Sequence, residues 1–162
     1  MANGLPDKTL VVNGLLEVAQ AELTSMEALA EMARDEATNS ETKAEGKYDT
    51  RATEASYLAR GQAWRITELR QLVAWLNSET ATRTLIEPIV QVGALVHIEG
   101  PRSEVVFVAP IGGAKTTLDG ITIRVISPAS PLGAAMSELE AGDVFEVDSP
   151  RGVVEYEVTG VA

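Results

Sequence analysis

Asn39-Ser40-Glu41-Thr42-Lys43-Ala44-Glu45-Gly46-Lys47-Tyr48-Asp49-Thr50-Arg51-Ala52-Thr53-Glu54 is a polar stretch holding four carboxylates and the helix breaker Gly46. Both flanks are patterned differently. Upstream, Val12, Leu16, Ala19, Leu23, Met26, Ala30, Ala33 and Ala37 recur at alternating steps of four and three. Downstream, Ala52, Ala55, Ala59, Gln62, Ile66, Leu69, Val73 and Leu76 step by three and four. That alternation is the seam of a coiled coil. Folded back about the polar stretch, Leu23 faces Ile66, Leu16 faces Val73 and Val12 faces Leu76, while alanine faces alanine near the turn. The pattern predicts an antiparallel helical hairpin over residues 8–77. Small seam residues let helix axes approach, so the hairpin is expected to be narrowest toward its tip.

Asp7 is placed to cap a first helix from about Lys8 to Glu36, and Asp49 or Thr50 a second from about Arg51 to Asn77. Gly14 weakens the first helix locally by up to ~1 kcal/mol. Glu17, Glu22, Glu27, Glu31, Asp35 and Glu36 lie outside the first seam, and Arg60, Arg65 and Arg70 outside the second. The two faces can attract across the hairpin, each exposed pair contributing a fraction of a kcal/mol. Trp64 and Trp75 are off the seam, and Trp75, near the end of the second helix, reads as a core residue.

After Asn77 the periodicity is lost. Ser78 to Leu85 is polar and threonine-rich, a linker or frayed helix end. Short β-branched runs then read as strands: Val92–Ile98, Glu104–Val108, Gly120–Ile126, Val144–Val147 and Val153–Val158. Ser149-Pro150-Arg151-Gly152 joins the last two as a hairpin. Pro131 to Glu138 lacks alternation and reads as one short helix, with Pro131 in its first turn and Ser130 as cap. The expected organisation is α+β: a coiled-coil finger over residues 1–78 and a small antiparallel β domain with one short helix over residues 79–162.

Composition narrows the chemistry. A hydrophobic content of 45% supplies a core, and a formal net charge of −11 disfavours direct binding to nucleic acid or an anionic membrane. There is no cysteine, which removes thiolate chemistry and cysteine-ligated zinc, and His97 is the only histidine. His97 sits in an alternating run and reads as a surface or half-buried strand residue. The N-terminus has no signal-peptide pattern, and no apolar run approaches the ~20 residues that span a bilayer. The chain reads as soluble and cytoplasmic, with no membrane partner.

The second half carries short motifs in a specific order. They are Val92-Gly93-Ala94-Leu95-Val96, Gly120-Ile121-Thr122-Ile123, Ile126-Ser127-Pro128-Ala129-Ser130-Pro131-Leu132-Gly133, Ala141-Gly142-Asp143-Val144-Phe145 and Pro150-Arg151-Gly152-Val153-Val154-Glu155-Tyr156. This resembles the C-terminal domain of the bacterial Gre-type (GreA/GreB-like) transcription elongation factors. Glu54-Ala55-Ser56-Tyr57-Leu58-Ala59-Arg60 is similar, more loosely, to the start of that family's second finger helix.

The resemblance implies an FKBP-like β domain that docks on RNA polymerase, and a finger that enters the polymerase secondary channel. It makes Ser130, Pro131 and Leu132 part of the docking surface, beside their reading as a helix start. It makes Asp49 and Glu54 the tip acids that assist a metal during cleavage of backtracked RNA. The protein would be an accessory factor rather than an enzyme, binding no metal in isolation and having no cofactor of its own. The Mg²⁺ would be that of the polymerase active site, nascent RNA would be met only indirectly, and the factor would act as a monomer.

At the tip the sequence departs from the family. Aligned on Tyr57 without a gap, the family's glutamate position is Thr53 and its aspartate position Thr50. Asp49 and Glu54 are each one residue away, five apart instead of three. One residue turns a helical side chain by about 100°. Two readings therefore stand: a cleavage-stimulating factor, and a non-cleaving regulator or inhibitor that only occupies the channel. Glu41 and Glu45 are further acids in a lengthened inbound tip. A peptidyl-prolyl isomerase, the remote alternative that an FKBP-like fold suggests, would need an aromatic-lined pocket. Phe107, Phe145 and Tyr156 are the only aromatics available for one in the β region.

Overall fold

The structure, a computed structural model, describes residues 4–40 and 50–162. Helix α1 spans Lys8–Ser40 and α2 spans Thr50–Leu76. The 33 residues of α1 rise about 50 Å. Asp7 starts it as expected, its Oδ1 accepting from the Leu10 N–H at 3.0 Å. Leu23 and Ile66 are buried in one cluster with Val12, Leu15, Ala19, Leu69, Leu72 and Leu76, so the two arms form the expected hairpin. Two of the anticipated ion pairs cross it, Glu22–Arg65 at 3.2 Å and Glu27–Arg70 at 2.7 Å.

In the outer half of the hairpin the alanine seam is not filled. Ala33, Ala37, Ala55 and Ala59 are exposed. They line a cleft of about 1030 Å³ between the helices, rimmed by Glu27, Glu31, Arg34 and Arg70. The reason is side-chain length: the gap between the helices is set lower down by Leu23, Met26 and Ile66, and opposed methyl groups are too short to fill it. Small residues permit a close approach but supply little attraction to enforce one.

A short helix α3 (Glu79–Thr82) follows, in the stretch that reads as linker or frayed end, and its Ala81 is fully buried. Six strands then form one sheet. They are β1 (Leu95–Glu99), β2 (Ser103–Val108), β3 (Lys115–Leu118), β4 (Ile121–Ile126), β5 (Val144–Ser149) and β6 (Gly152–Val161), in the order β3-β4-β2-β1-β6-β5. Helix α4 (Pro131–Met136) lies between β4 and β5 in sequence. The sheet is antiparallel except for β2 and β4, which run parallel, with Val105 opposite Ile123 and Phe107 opposite Val125. The chain leaves β2, passes over one strand position to β3 at the edge, and returns through a hairpin to place β4 in the gap.

The period of two along the strands sorts the core into two layers. Leu95, Val105, Phe107, Ile123 and Val125 face the hairpin and share one cluster with the lower parts of α1 and α2. Val96, Ile98, Val106, Val108 and Ile126 face the other way, where Met136 of α4, Phe145 and Val158 join them. Trp75 packs against Phe107, ring centroids 5.8 Å apart, which is the core role its position suggests. The base of the finger and one face of the sheet are thus a single hydrophobic core.

Candidate docking surface and finger acids

Ser130, Pro131 and Leu132 form the entry to α4. Ser130 has extended backbone (φ −73°, ψ 154°), and its Oγ accepts from the Gly133 N–H at 3.1 Å. The same hydroxyl donates to the Ser127 carbonyl at 2.7 Å. One side chain thereby satisfies a free helix donor and closes the Ser127–Ser130 turn, the work of an N-cap. Pro131 takes the first helical position, where its missing N–H costs nothing, and it is exposed. Leu132 is half-buried against the α4-side core layer. Of the three, Pro131 is the residue presented to solvent, while Ser130 and Leu132 are engaged within the fold.

Gly133 belongs to this element too. A Cβ built on it would lie 2.0 Å from the Ser127 carbonyl oxygen, so only glycine lets the helix start on that carbonyl. Its signal in the sequence was its place directly after Ser130-Pro131-Leu132, inside a helix that gains nothing from glycine propensity.

The acids of the finger lie on the other half of the chain. Glu54 is exposed in the second turn of α2. Asp49, Glu41 and Glu45 lie outside the described residues. Among the described residues no three histidine or carboxylate side chains converge as a metal site. Nor, among them, is any helix long and apolar enough to cross a membrane.

His97 is the half-buried strand residue expected, with Nδ1 against Thr159 Oγ1 and Nε2 2.8 Å from Ser103 Oγ. It lines a second cleft of about 570 Å³ together with Arg102, Glu104, Thr122 and Arg124. Neither this cleft nor the one in the finger has an aromatic wall. Phe107 is buried under Trp75, and Phe145 is stacked on Tyr156 with centroids 5.6 Å apart.

Comparison with known proteins found no match among curated sequences. Among solved structures the chain is similar to the GreA factor homolog 1 (Gfh1) protein of Thermus thermophilus, 20% identical, covering 92% of this chain and 95% of that one, with a TM-score of 0.37. Gfh1 of Thermus aquaticus is 19% identical, with coverages of 92% and 94% and a TM-score of 0.38. The transcription elongation factor GreA/GreB of Nitrosomonas europaea is 20% identical, with coverages of 60% and 78% and a TM-score of 0.36. The family described as "Transcription elongation factor, GreA/GreB, C-term" matches residues 87–162, the segment that holds the whole sheet and α4. Residues 87–162 are therefore a C-terminal domain of the GreA/GreB transcription elongation factor type, and the helical hairpin lies ahead of it in the chain.

Proposed function

We propose that this protein binds RNA polymerase through its β domain and directs its helical finger into the secondary channel, where it modulates elongation or the cleavage of backtracked transcripts. The observation that carries this reading is the GreA/GreB C-terminal match over residues 87–162, which includes Ser130, Pro131 and Leu132. Pro131 is exposed at the start of α4, where a partner could reach it. In this reading residues 1–78 are the probe and residues 79–162 the dock. The protein is a cytoplasmic, monomeric accessory factor. It meets nascent RNA only through the polymerase, and it needs no membrane.

The chemistry available to it is assistance. Hydrolysis of a phosphodiester by two metals needs hard oxygen ligands, and Asp49 and Glu54 would be the carboxylates delivered. The Mg²⁺ would belong to the polymerase, whose own carboxylates hold most of its shell. Two acids five residues apart do not make an octahedral cage by themselves.

A second reading is favoured by the tip register. Asp49 and Glu54 are five apart where the family motif spaces its acids three apart, so the finger would occupy the channel without cutting. One experiment tests both: stalled, backtracked elongation complexes incubated with the protein, scored for shortened RNA and for displacement of a cleavage factor. Cleavage lost in Asp49→Ala or Glu54→Ala with binding retained supports the first reading. Displacement without cleavage supports the second. Absence of any polymerase binding overturns both.

A further inference from the structure

The finger meets the sheet through the shared core and through one polar contact above it. At the base Trp75 packs on Phe107. Ten residues higher on α2, about 15 Å along the axis, Arg65 makes the polar contact. Its Nε donates to Glu22 Oε1 at 3.2 Å and its Nη2 to Glu22 Oε2 at 3.4 Å, a two-pronged pair across the hairpin. Its Nη1 donates to the Gly112 carbonyl at 3.3 Å, in the loop between β2 and β3, and lies 3.5 Å from Glu68 Oε2. One guanidinium therefore joins α1, α2 and the sheet.

The loop is shaped for it. Gly113 has φ +97°, and a Cβ there would meet the Arg65 guanidinium at 3.2 to 3.5 Å. At Gly112 a Cβ would meet Ser127 N and Val125 O, both at 3.2 Å. Gly113 thus leaves room for the guanidinium, while Gly112 lets the loop backbone lie against the end of β4. The loop is in turn bonded to the sheet, Gly113 N–H to the Val125 carbonyl at 3.1 Å and Val125 N–H to the Ala114 carbonyl at 2.8 Å. Its far end is as firm as β4.

We infer that Arg65 is a positioning residue that fixes the angle of the finger relative to the docking domain. The shared apolar core resists a tilt without directional bonds, and the fork of Arg65, ~15 Å above Trp75, adds a directional bond to the sheet at the upper edge of that core. Glu54 lies 21 residues from Trp75, about 30 Å along the helix. A tilt of about 10° at the base would carry it about 5 Å sideways. Displacements of ~1 Å already cost a catalytic group much of its effect. The consequence for polymerase rests on the proposed function, but the angle itself does not.

The absence of cysteine makes the angle measurable. Cysteines introduced at Leu58, exposed on the finger, and Arg151, exposed in the β5–β6 turn, would carry the only two spin labels. Pulsed electron resonance on the otherwise unaltered chain should give one narrow distance distribution. Arg65→Met should broaden or shift it by about 4 Å, and Arg65→Lys, which keeps the charge but not the fork, should restore part of the narrowness. Arg70→Met removes a pair internal to the finger and should leave the distribution as it was. An unchanged distribution in a folded Arg65→Met would overturn the proposal, as would equal broadening in Arg70→Met. Should Arg65→Met fail to fold, Arg65→Gln, which stays polar but is too short to reach the Gly112 carbonyl, reads the same link, and no broadening there would also overturn it. A failure of polymerase binding would defeat the functional reading and leave this distance result standing.

Discussion

Gly14 of α1 lies so close to Thr116 of β3 that a Cβ added at Gly14 would come within 2.9 Å of the threonine Oγ1. The glycine that weakens the helix is what lets the finger settle on the edge strand of the sheet. Gly14→Ala should gain up to ~1 kcal/mol of helix propensity and lose a comparable amount to the contact, leaving stability flat or reduced. Made together with Thr116→Ala, the propensity gain should appear. A double-mutant cycle from urea unfolding should give a coupling of about 1 kcal/mol, and strict additivity would show that the approach does not constrain position 14.

The start of α4 should respond in a graded way. Ser130→Ala removes the acceptor for the Gly133 N–H and the donor to the Ser127 carbonyl, and should cost about 1 kcal/mol. Gly133→Ala forces a methyl onto a backbone oxygen and should cost more, about 3 kcal/mol, because backbone has to move. Equilibrium unfolding of the two variants checks the order, and equal costs would contradict it.

Docking is better probed at Pro131 than at Ser130. Pro131 is exposed at the first position of α4, where a glutamate is well tolerated by the helix dipole. Pro131→Glu should keep the unfolding midpoint and weaken polymerase binding about tenfold or more, a loss of ~1.4 kcal/mol. Unchanged affinity with intact fold would take this residue off the docking surface.

The two tryptophans should separate in solution. Trp64 is 69% exposed on α2, and Trp75 is packed on Phe107. Acrylamide should quench one component of the fluorescence strongly and the other weakly, and Trp64→Phe should remove the strongly quenched one. Loss of that component in Trp75→Phe instead would reverse the assignment.

Periodicity made much of this fold legible. Heptads gave α1 and α2, capping chemistry gave Asp7 and Ser130, and alternation gave five of the strands. The unread parts have physical causes. Strand β3 is four residues, Lys115-Thr116-Thr117-Leu118, too short and polar for an edge strand to declare itself. Helix α3 is a single turn held by the burial of Ala81. The parallel pairing of β2 with β4 depends on the path of a loop, which no local pattern encodes. The open outer seam was missed because alanine spacing reports which residues face each other, but not whether they touch. Arg65 was legible as a cation facing the acids of α1. Its bond to Gly112 was not, since it joins a helix to a loop 47 residues away.

The unfilled seam also sets how stability is distributed along the finger. Below Met26 and Ile66 each turn is anchored by buried side chains shared with the sheet, so its amides open only when the core does. Above them the turns hold chiefly by their own backbone bonds, and helical segments of this kind are marginal when isolated. Amide exchange should therefore rise stepwise along α1 between Met26 and Ala37, and fall along α2 between Ala55 and Ile66. A channel wall that filled the cleft would slow exchange in that outer zone alone, giving a residue-level record of how deeply the finger had entered.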